Sequence, residues 1–246
     1  TPAGVVRALD GVSFEITQGE RVILLGPSGS GKTTLLNCLS SLDSPTGGSY
    51  TFNGSDVPRN HSEQMTSFRR DNIGYVFQFF NLLQDLTVLE NILLIQELSG
   101  NKDQKRAIEL LKLVGLEDEI NRFPGEISGG QQQRVFLARA LVQESPIYLM
   151  DEPFVGVDAT TEKAIINLLK ELRKNGKTVL VVHHDLQTLS DYFDWTFLLN
   201  VRKIALGPTK EVLTESNLKE AYGGRTPFIG KLTEQHTPPN KTRIKN

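Results

Sequence analysis

Gly26-Pro27-Ser28-Gly29-Ser30-Gly31-Lys32-Thr33 decides how the rest of the chain is read. The stretch fits G-x-x-x-x-G-K-[ST] without a mismatch. It follows the apolar run Val22-Ile23-Leu24-Leu25 and precedes a helically spaced segment, residues 32–39, as the motif requires. Glycines let the backbone curl until successive N–H groups aim at phosphate oxygens, and the helix start adds partial positive charge. In that arrangement the Lys32 ammonium reaches the β and γ phosphates, the Thr33 hydroxyl ligates Mg²⁺, and Thr34 belongs to the same phosphate-facing turn. A chance glycine-rich turn accounts for the lysine, but not for a strand and a helix on either side.

Ile147-Tyr148-Leu149-Met150-Asp151-Glu152 is an apolar strand that ends in two acids. Asp151, at its tip, can hold the shell of a Mg²⁺ ion. Glu152, one step on, can polarise an attacking water as a general base. Alone, such a strand end marks only the start of a solvated loop. Beside the phosphate loop it points to a nucleoside triphosphatase.

Around these motifs the chain alternates strand and helix patterns. Strands are expected at 12–16, 21–25, 49–52 (closed by Asn53-Gly54), 73–77, 147–150, 178–182, 195–199 and 203–206. Helical period runs through 87–114, and helices are expected at 32–39, after an N-cap at Ser128, at 160–173, from 185, and at 210–222. Such alternation gives an α/β fold with a mostly parallel sheet covered by helices on both faces. Beyond Gly223 the sequence is polar and aperiodic, carries Pro238-Pro239, and is expected to be loosely ordered.

Composition narrows the field by exclusion. At 38% hydrophobic and 23% charged the chain has the make-up of a soluble globular protein. A net charge of -2 lacks the basic footprint of a nucleic-acid binder, so no nucleic-acid partner is expected. No apolar run approaches the roughly 18 residues that span a bilayer. The N-terminus has no basic-then-apolar leader, and it starts at Thr1 rather than Met, which leaves room for an earlier segment. The single Cys38 excludes an intrachain disulfide and fits a reducing compartment.

Ile127-Ser128-Gly129-Gly130-Gln131-Gln132-Gln133-Arg134 narrows the class. It resembles the LSGGQ signature of ABC (ATP-binding cassette) ATPases, with Ile127 in place of Leu. Physically it repeats the phosphate loop's device: small residues at a helix start expose N–H groups and a hydroxyl to an anion. In that family the anion is the γ-phosphate of ATP bound to the other subunit, which implies that role for Ser128, Gly129, Gly130 and Gln131. A plain Ser-capped helix explains the segment alone, but not its place between two nucleotide motifs. Gln78, in Val76-Phe77-Gln78-Phe79-Phe80-Asn81-Leu82-Leu83, resembles the Q-loop glutamine, which contacts Mg²⁺ and water and links to the membrane subunit. Asp158, in Gly156-Val157-Asp158-Ala159, resembles the D-loop and equally suits the N-cap of the next helix. His184, in Val181-Val182-His183-His184-Asp185, resembles the switch histidine at the γ-phosphate. His183 stands where relatives more often carry Thr, and a packing or polar contact is expected of it.

The resemblance covers nearly all of 4–222 and is similar, over 77–92, to ATPases of the lipoprotein-release and macrolide-exporter group. Amino-acid importer ATPases stay open. Phe154-Val155 departs from the Thr-Gly common in that group, Gln84 stands where Pro is frequent, and no aromatic precedes Phe14 to stack on adenine. The resemblance implies a RecA-like P-loop core, an N-terminal antiparallel β subdomain and an inserted α-helical subdomain at about 79–140. It implies a cassette over 1–224 and a tail over 225–246. It implies ATP and Mg²⁺ as cofactors, with Thr33, Gln78 and Asp151 at the metal and Lys32, Glu152, Gln78 and His184 catalytic. Its implied partners are a second copy of the cassette and an integral-membrane transporter subunit, which would hold the chain at the cytoplasmic face of the membrane. The alternative is an ABC ATPase that transports nothing and serves as regulator, scaffold or assembly factor. A small-molecule P-loop kinase has no use for Ser128-Gly129-Gly130-Gln131.

Overall fold

The first strand, β1 (Arg21–Leu25), is buried at every position, and its side chains divide between two cores. Val22 and Leu24 pack on one side with Leu36, Leu180 and Phe197. Ile23 and Leu25 pack on the other with Val76, Tyr148, Val181 and Leu198. A strand covered on both faces must lie inside a sheet with a layer on each side.

The computed structural model describes residues 7–59, 62–77, 82–98, 100, 102–155, 157–183 and 192–223. After β1 come α1 (Lys32–Leu39), β2 (Thr51–Phe52), β3 (Ser55–Asp56), α2 (Ser62–Asn72), β4 (Ile73–Val76), α3 (Val88–Leu98), α4 (Gln104–Leu113) and α5 (Gly129–Leu141). Then follow β5 (Ile147–Asp151), α6 (Ala159–Lys174), β6 (Thr178–Val182), β7 (Trp195–Asn200), β8 (Arg202–Pro208), α7 (Thr209–Val212) and α8 (Glu215–Tyr222). Among the described residues the large sheet has the order β4-β5-β6-β1-β7-β8. Its pairings are parallel except β7 with β8. The α/β class with a mostly parallel sheet holds.

Helix α1 (Leu35, Leu36) and Phe68 of α2 cover the Val22 face. Helices α3 to α8 cover the other, the helical lobe entering through Val88, Ile92, Leu110 and Val135. Helix α6 buries Thr161, Ala164, Ile165, Leu168, Leu169 and Leu172, one stripe at helical spacing, and each buried aliphatic contributes roughly 1.5–3 kcal/mol.

Several expectations change on contact with the fold. Residues 12–16 keep a strand's alternation, with Val12, Phe14 and Ile16 packed on the sheet and Ser13 and Glu15 exposed, yet they join no ladder. Period two reports which face is covered, not which backbone is paired. The antiparallel N-terminal layer is therefore, among the described residues, the short β2–β3 hairpin, turned by Asn53 (φ 50) and Gly54 (φ 77) as an Asn-Gly turn requires. The period over 87–114 is two helices, since Gly100 turns left-handed (φ 76) and Asp103 caps α4 by accepting from the Arg106 N–H. The helix expected at 210–222 breaks at Leu213 because Thr214 starts a new one, accepting from the Asn217 N–H. Helix α2 has only Met65 and Phe68 as apolar residues, too few for a visible stripe; Phe68 meets Phe52 edge to face at 5.5 Å. The helix expected from 185 and the tail expected over 225–246 lie outside the described residues.

Candidate nucleotide site

Strands β5, β6 and β1 are parallel neighbours, so the loops that follow them leave the same edge of the sheet. The strand ends are tied together there. The Glu152 N–H donates to Val182 O at 3.0 Å, and the His183 N–H donates to Leu24 O at 3.2 Å.

The phosphate loop is shaped by close backbone approach. At Gly26 a Cβ would stand 2.0 Å from Leu199 O, and at Gly31, with φ +93, it would stand 2.3 Å from Ala8 O. Only glycine fits either place. The loop is braced from outside, because the Val201 N–H donates to Ser30 O at 2.9 Å and the Asp10 N–H to Val201 O at 2.8 Å. Helix α1 starts at Gly31 with no side-chain cap, which leaves first-turn N–H groups for an anion. Pro27 is half-buried, Ser28 and Gly29 are exposed at the rim, and Thr34 is half-buried on the first turn. The Lys32 ammonium folds into the loop, donating to Gly26 O at 2.9 Å, Pro27 O at 2.8 Å and Ser30 Oγ at 3.4 Å. Burial pushes it below the ordinary lysine range, and the carboxylates of Glu152 and Asp151 offset part of that.

Thr33 and Asp151 meet across the sheet edge: Thr33 Oγ1 donates to Asp151 Oδ2 at 3.1 Å. Burial raises the Asp151 pKa above its ordinary value; the Thr33 hydroxyl and the Lys32 charge lower it, and Glu152 raises it further. A hydroxyl and a carboxylate side by side form a hard-oxygen donor set that suits Mg²⁺. Glu152, half-buried, has φ 51, a left-handed backbone that is uncommon for a glutamate and that clusters at working sites.

A second constellation forms at the start of α5. Ser128 Oγ accepts from the Gln131 N–H at 3.2 Å, and Gln131 Oε1 accepts from the Ser128 N–H at 2.8 Å, a reciprocal capping box. Ser128 and Gly129 are exposed. Asp158 caps α6, accepting from the Thr161 N–H at 2.7 Å, and a Cβ at Gly130 would lie 2.9 Å from its Oδ2. The N-cap reading of Asp158 holds, and the same carboxylate lies against Gly130. Among the described residues no hydrogen bond or ion pair joins 26–34 to 128–131.

The sequence reading assigns no role to Gln133, Arg134 or Thr161. Gln133 Nε2 donates to Pro153 O at 2.8 Å, and Arg134 Nη1 donates to Thr161 Oγ1 at 2.8 Å. The available signal was polar side chains at core-facing positions of α5. His183 is buried with its ring edge-on to Phe154 at 5.6 Å, so two departures from the family pattern pack on each other. Gln78, His184 and Gly156 lie outside the described residues.

The fold and the phosphate loop define a P-loop nucleoside triphosphatase. A family model described as ABC transporter matches residues 9–155. The chain belongs to the ABC transporter family, as an ATP-binding subunit and ATPase. It is 44% identical to the manganese transport system ATP-binding protein MntB of Bacillus subtilis, over 90% of this chain and 88% of that one. It is 41% identical to the macrolide export ATP-binding/permease protein MacB of Hyphomonas neptunium, over 73% of this chain and 28% of that one. The dimeric post-hydrolysis structure of the ATP-binding cassette MJ0796 bound to ADP and Pi superposes with a TM-score of 0.76 at 39% identity, covering 82% of this chain and 90% of that one. Among the described residues no helix is long and apolar enough to cross a membrane.

Proposed function

We propose that two copies of the chain close head to tail around ATP, each phosphate loop facing residues 128–131 of the other, and that hydrolysis reopens the pair. One observation carries this: among the described residues the start of α5, where Ser128 and Gly129 are exposed, makes no hydrogen bond or ion pair with the chain's own phosphate loop. The dimeric state of MJ0796, a similar cassette, supports it. In each site the Lys32 ammonium exchanges loop carbonyls for the β and γ phosphates, and the free N–H groups of α1 hold the same oxygens. Thr33, Asp151 and Gln78 would hold Mg²⁺, which when bound supplies charge neutralisation at the phosphates. Glu152 takes the proton of the attacking water as its oxygen bonds to the γ phosphorus and the bond to ADP breaks, leaving ADP and phosphate. His184 would contact the γ-phosphate, as the family resemblance implies, with the partner's signature serine and glycines closing over it.

Motion of the pair drives an integral-membrane subunit, with this chain peripheral at the cytoplasmic face. For the cargo we favour a divalent metal ion, because the likeness to the manganese system spans 90% of the chain. Export of a macrolide-like or lipidic cargo is the second reading, supported by the 41% identity to MacB and by the 77–92 stretch. Stimulation of ATPase in the membrane complex by Mn²⁺ or by a macrolide separates them.

Mixing mutants tests the shared site. Homodimers of Lys32→Ala, and of Ser128→Arg, carry a lesion in both sites and are inactive. In the heterodimer both lesions fall in one site and the other is whole, so ATPase returns on mixing, up to about a quarter of wild-type from the statistics of random pairing and one working site. Heterodimers that form without recovering activity would refute the shared site, given that one whole site fires alone.

A further inference from the structure

We infer that Gln133 and Arg134 relay the state of one composite site to the catalytic base of the other; the inference rests on the two-chain site proposed above. Helix α5 has one end in each. Its start carries the exposed Ser128 and Gly129 and the half-buried Gly130, which in the two-chain site face the partner's nucleotide. Further along, Gln133 is 8% exposed and Arg134 7%. Gln133 Nε2 donates to Pro153 O at 2.8 Å, and Pro153 directly follows Glu152. Arg134 Nη1 donates to Thr161 Oγ1 at 2.8 Å and stands 3.9 Å from Asp158 Oδ1. Adjacent side chains of one helix thus grip both ends of the linker between β5 and α6.

Packing alone does not call for this. The neighbouring positions Val135, Phe136, Leu137 and Ala138 fill the core, and a buried amide or guanidinium is costly there unless its bonds are made. The Gln133 amide makes its bond to the linker at Pro153, and Arg134 bonds Thr161 in the first turn of α6, while Arg134 Nε is buried without a hydrogen bond among the described residues. The linker in turn starts at Glu152, whose left-handed φ of 51 must be held by its surroundings. At Gly130 the helix touches the linker's far end closely, since a Cβ would lie 2.9 Å from Asp158 Oδ2. A helix moves as a rod. When its first turn engages the partner's γ-phosphate, Gln133 carries the displacement to Pro153 and sets Glu152 for its own site. Each chain carries the signal in one direction, and the dimer makes it reciprocal. Gln133 is a positioning residue here.

The test is Gln133→Leu in the full chain, with Gln133→Met as a second shape if leucine does not pack. Fluorescent ATP analogue titration of the monomer, ATP-driven dimerisation in a Glu152→Gln background, kcat and the Hill coefficient for ATP are measured. We expect nucleotide Kd within about twofold and dimerisation intact, kcat lower by about tenfold (about 1.4 kcal/mol), and a Hill coefficient that falls from above one to one. Wild-type kcat and cooperativity in a folded variant overturn the relay. So does a Hill coefficient of one in the wild-type protein. So does a loss of nucleotide affinity that parallels kcat in both variants, which would make Gln133 a packing residue. Failure of the underlying two-chain site is distinct: Glu152→Gln then forms no dimer with ATP, and Lys32→Ala mixed with Ser128→Arg recovers nothing.

Discussion

Gly129 is the first residue of α5, its backbone is helical, and nothing lies within 4 Å of where a Cβ would stand. Folding alone therefore favours alanine. A compatible Gly→Ala change stabilises by about 0.4–1 kcal/mol, by narrowing the unfolded chain. In a domain of this size each kcal/mol moves Tm by about 2–4 °C, so Gly129→Ala should melt about 1–4 °C higher without nucleotide. Gly130→Ala is the control. Its Cβ would stand 2.9 Å from Asp158 Oδ2, so it must disturb the α6 cap, and Tm falls. If the open space at 129 is kept for the partner's phosphate, the added methyl blocks that approach. ATPase should then drop at least about tenfold, a loss of about 1.4 kcal/mol or more, while stability rises. Calorimetry of the nucleotide-free monomer and phosphate release at saturating ATP read the two effects separately. A stabilised Gly129→Ala that hydrolyses at the wild-type rate refutes the reasoning.

Glu152→Gln keeps shape and loses basicity, so ATP still binds, turnover falls at least about a hundredfold as for loss of a general base, and an ATP-bound dimer accumulates in gel filtration. Wild-type turnover would exclude Glu152 as the base. Asp151 carries a pH signature. Burial raises its pKa in the nucleotide-free fold, so a bound proton stabilises that fold fully below the unfolded value, and the gain is gone once pH exceeds the folded one. At neutral pH the buried carboxylate is thus a net cost. Asp151→Asn should melt a few degrees higher there, with the gap closing as pH falls into the carboxylate range and Mg²⁺-dependent turnover lost. A gap that widens in acid would contradict this.

The nucleotide motifs were legible because each encodes its own geometry. Gly26 and Gly31 announce close backbone contacts, and Asp151 stands at the end of a strand whose preceding residues are all apolar. Ser128 with Gln131 three residues on announced the cap that starts α5. Strands β1, β5 and β6 read correctly since burial on both faces leaves runs of aliphatic residues. What stayed hidden depends on partners distant in sequence. Nothing local says that Gln133 bonds Pro153 across 20 residues, or that 12–16 would alternate without pairing. Helix α2, with two apolar residues, is held by the Tyr50 and Phe52 rings that Phe68 meets, a tertiary contact with no periodic trace.

The left-handed backbone at Glu152 also bears on ancestry. A glutamate there costs roughly 1–2 kcal/mol relative to glycine, so drift for fold stability alone favours glycine, asparagine or aspartate. Glycine and aspartate codons each lie a single base change from those of glutamate. Only the demand for hydrolysis opposes that drift. After a gene duplication, a copy released from that demand should lose this glutamate early and become the more heat-resistant of the two, which makes position 152 a sensitive record of whether a lineage still turns over ATP.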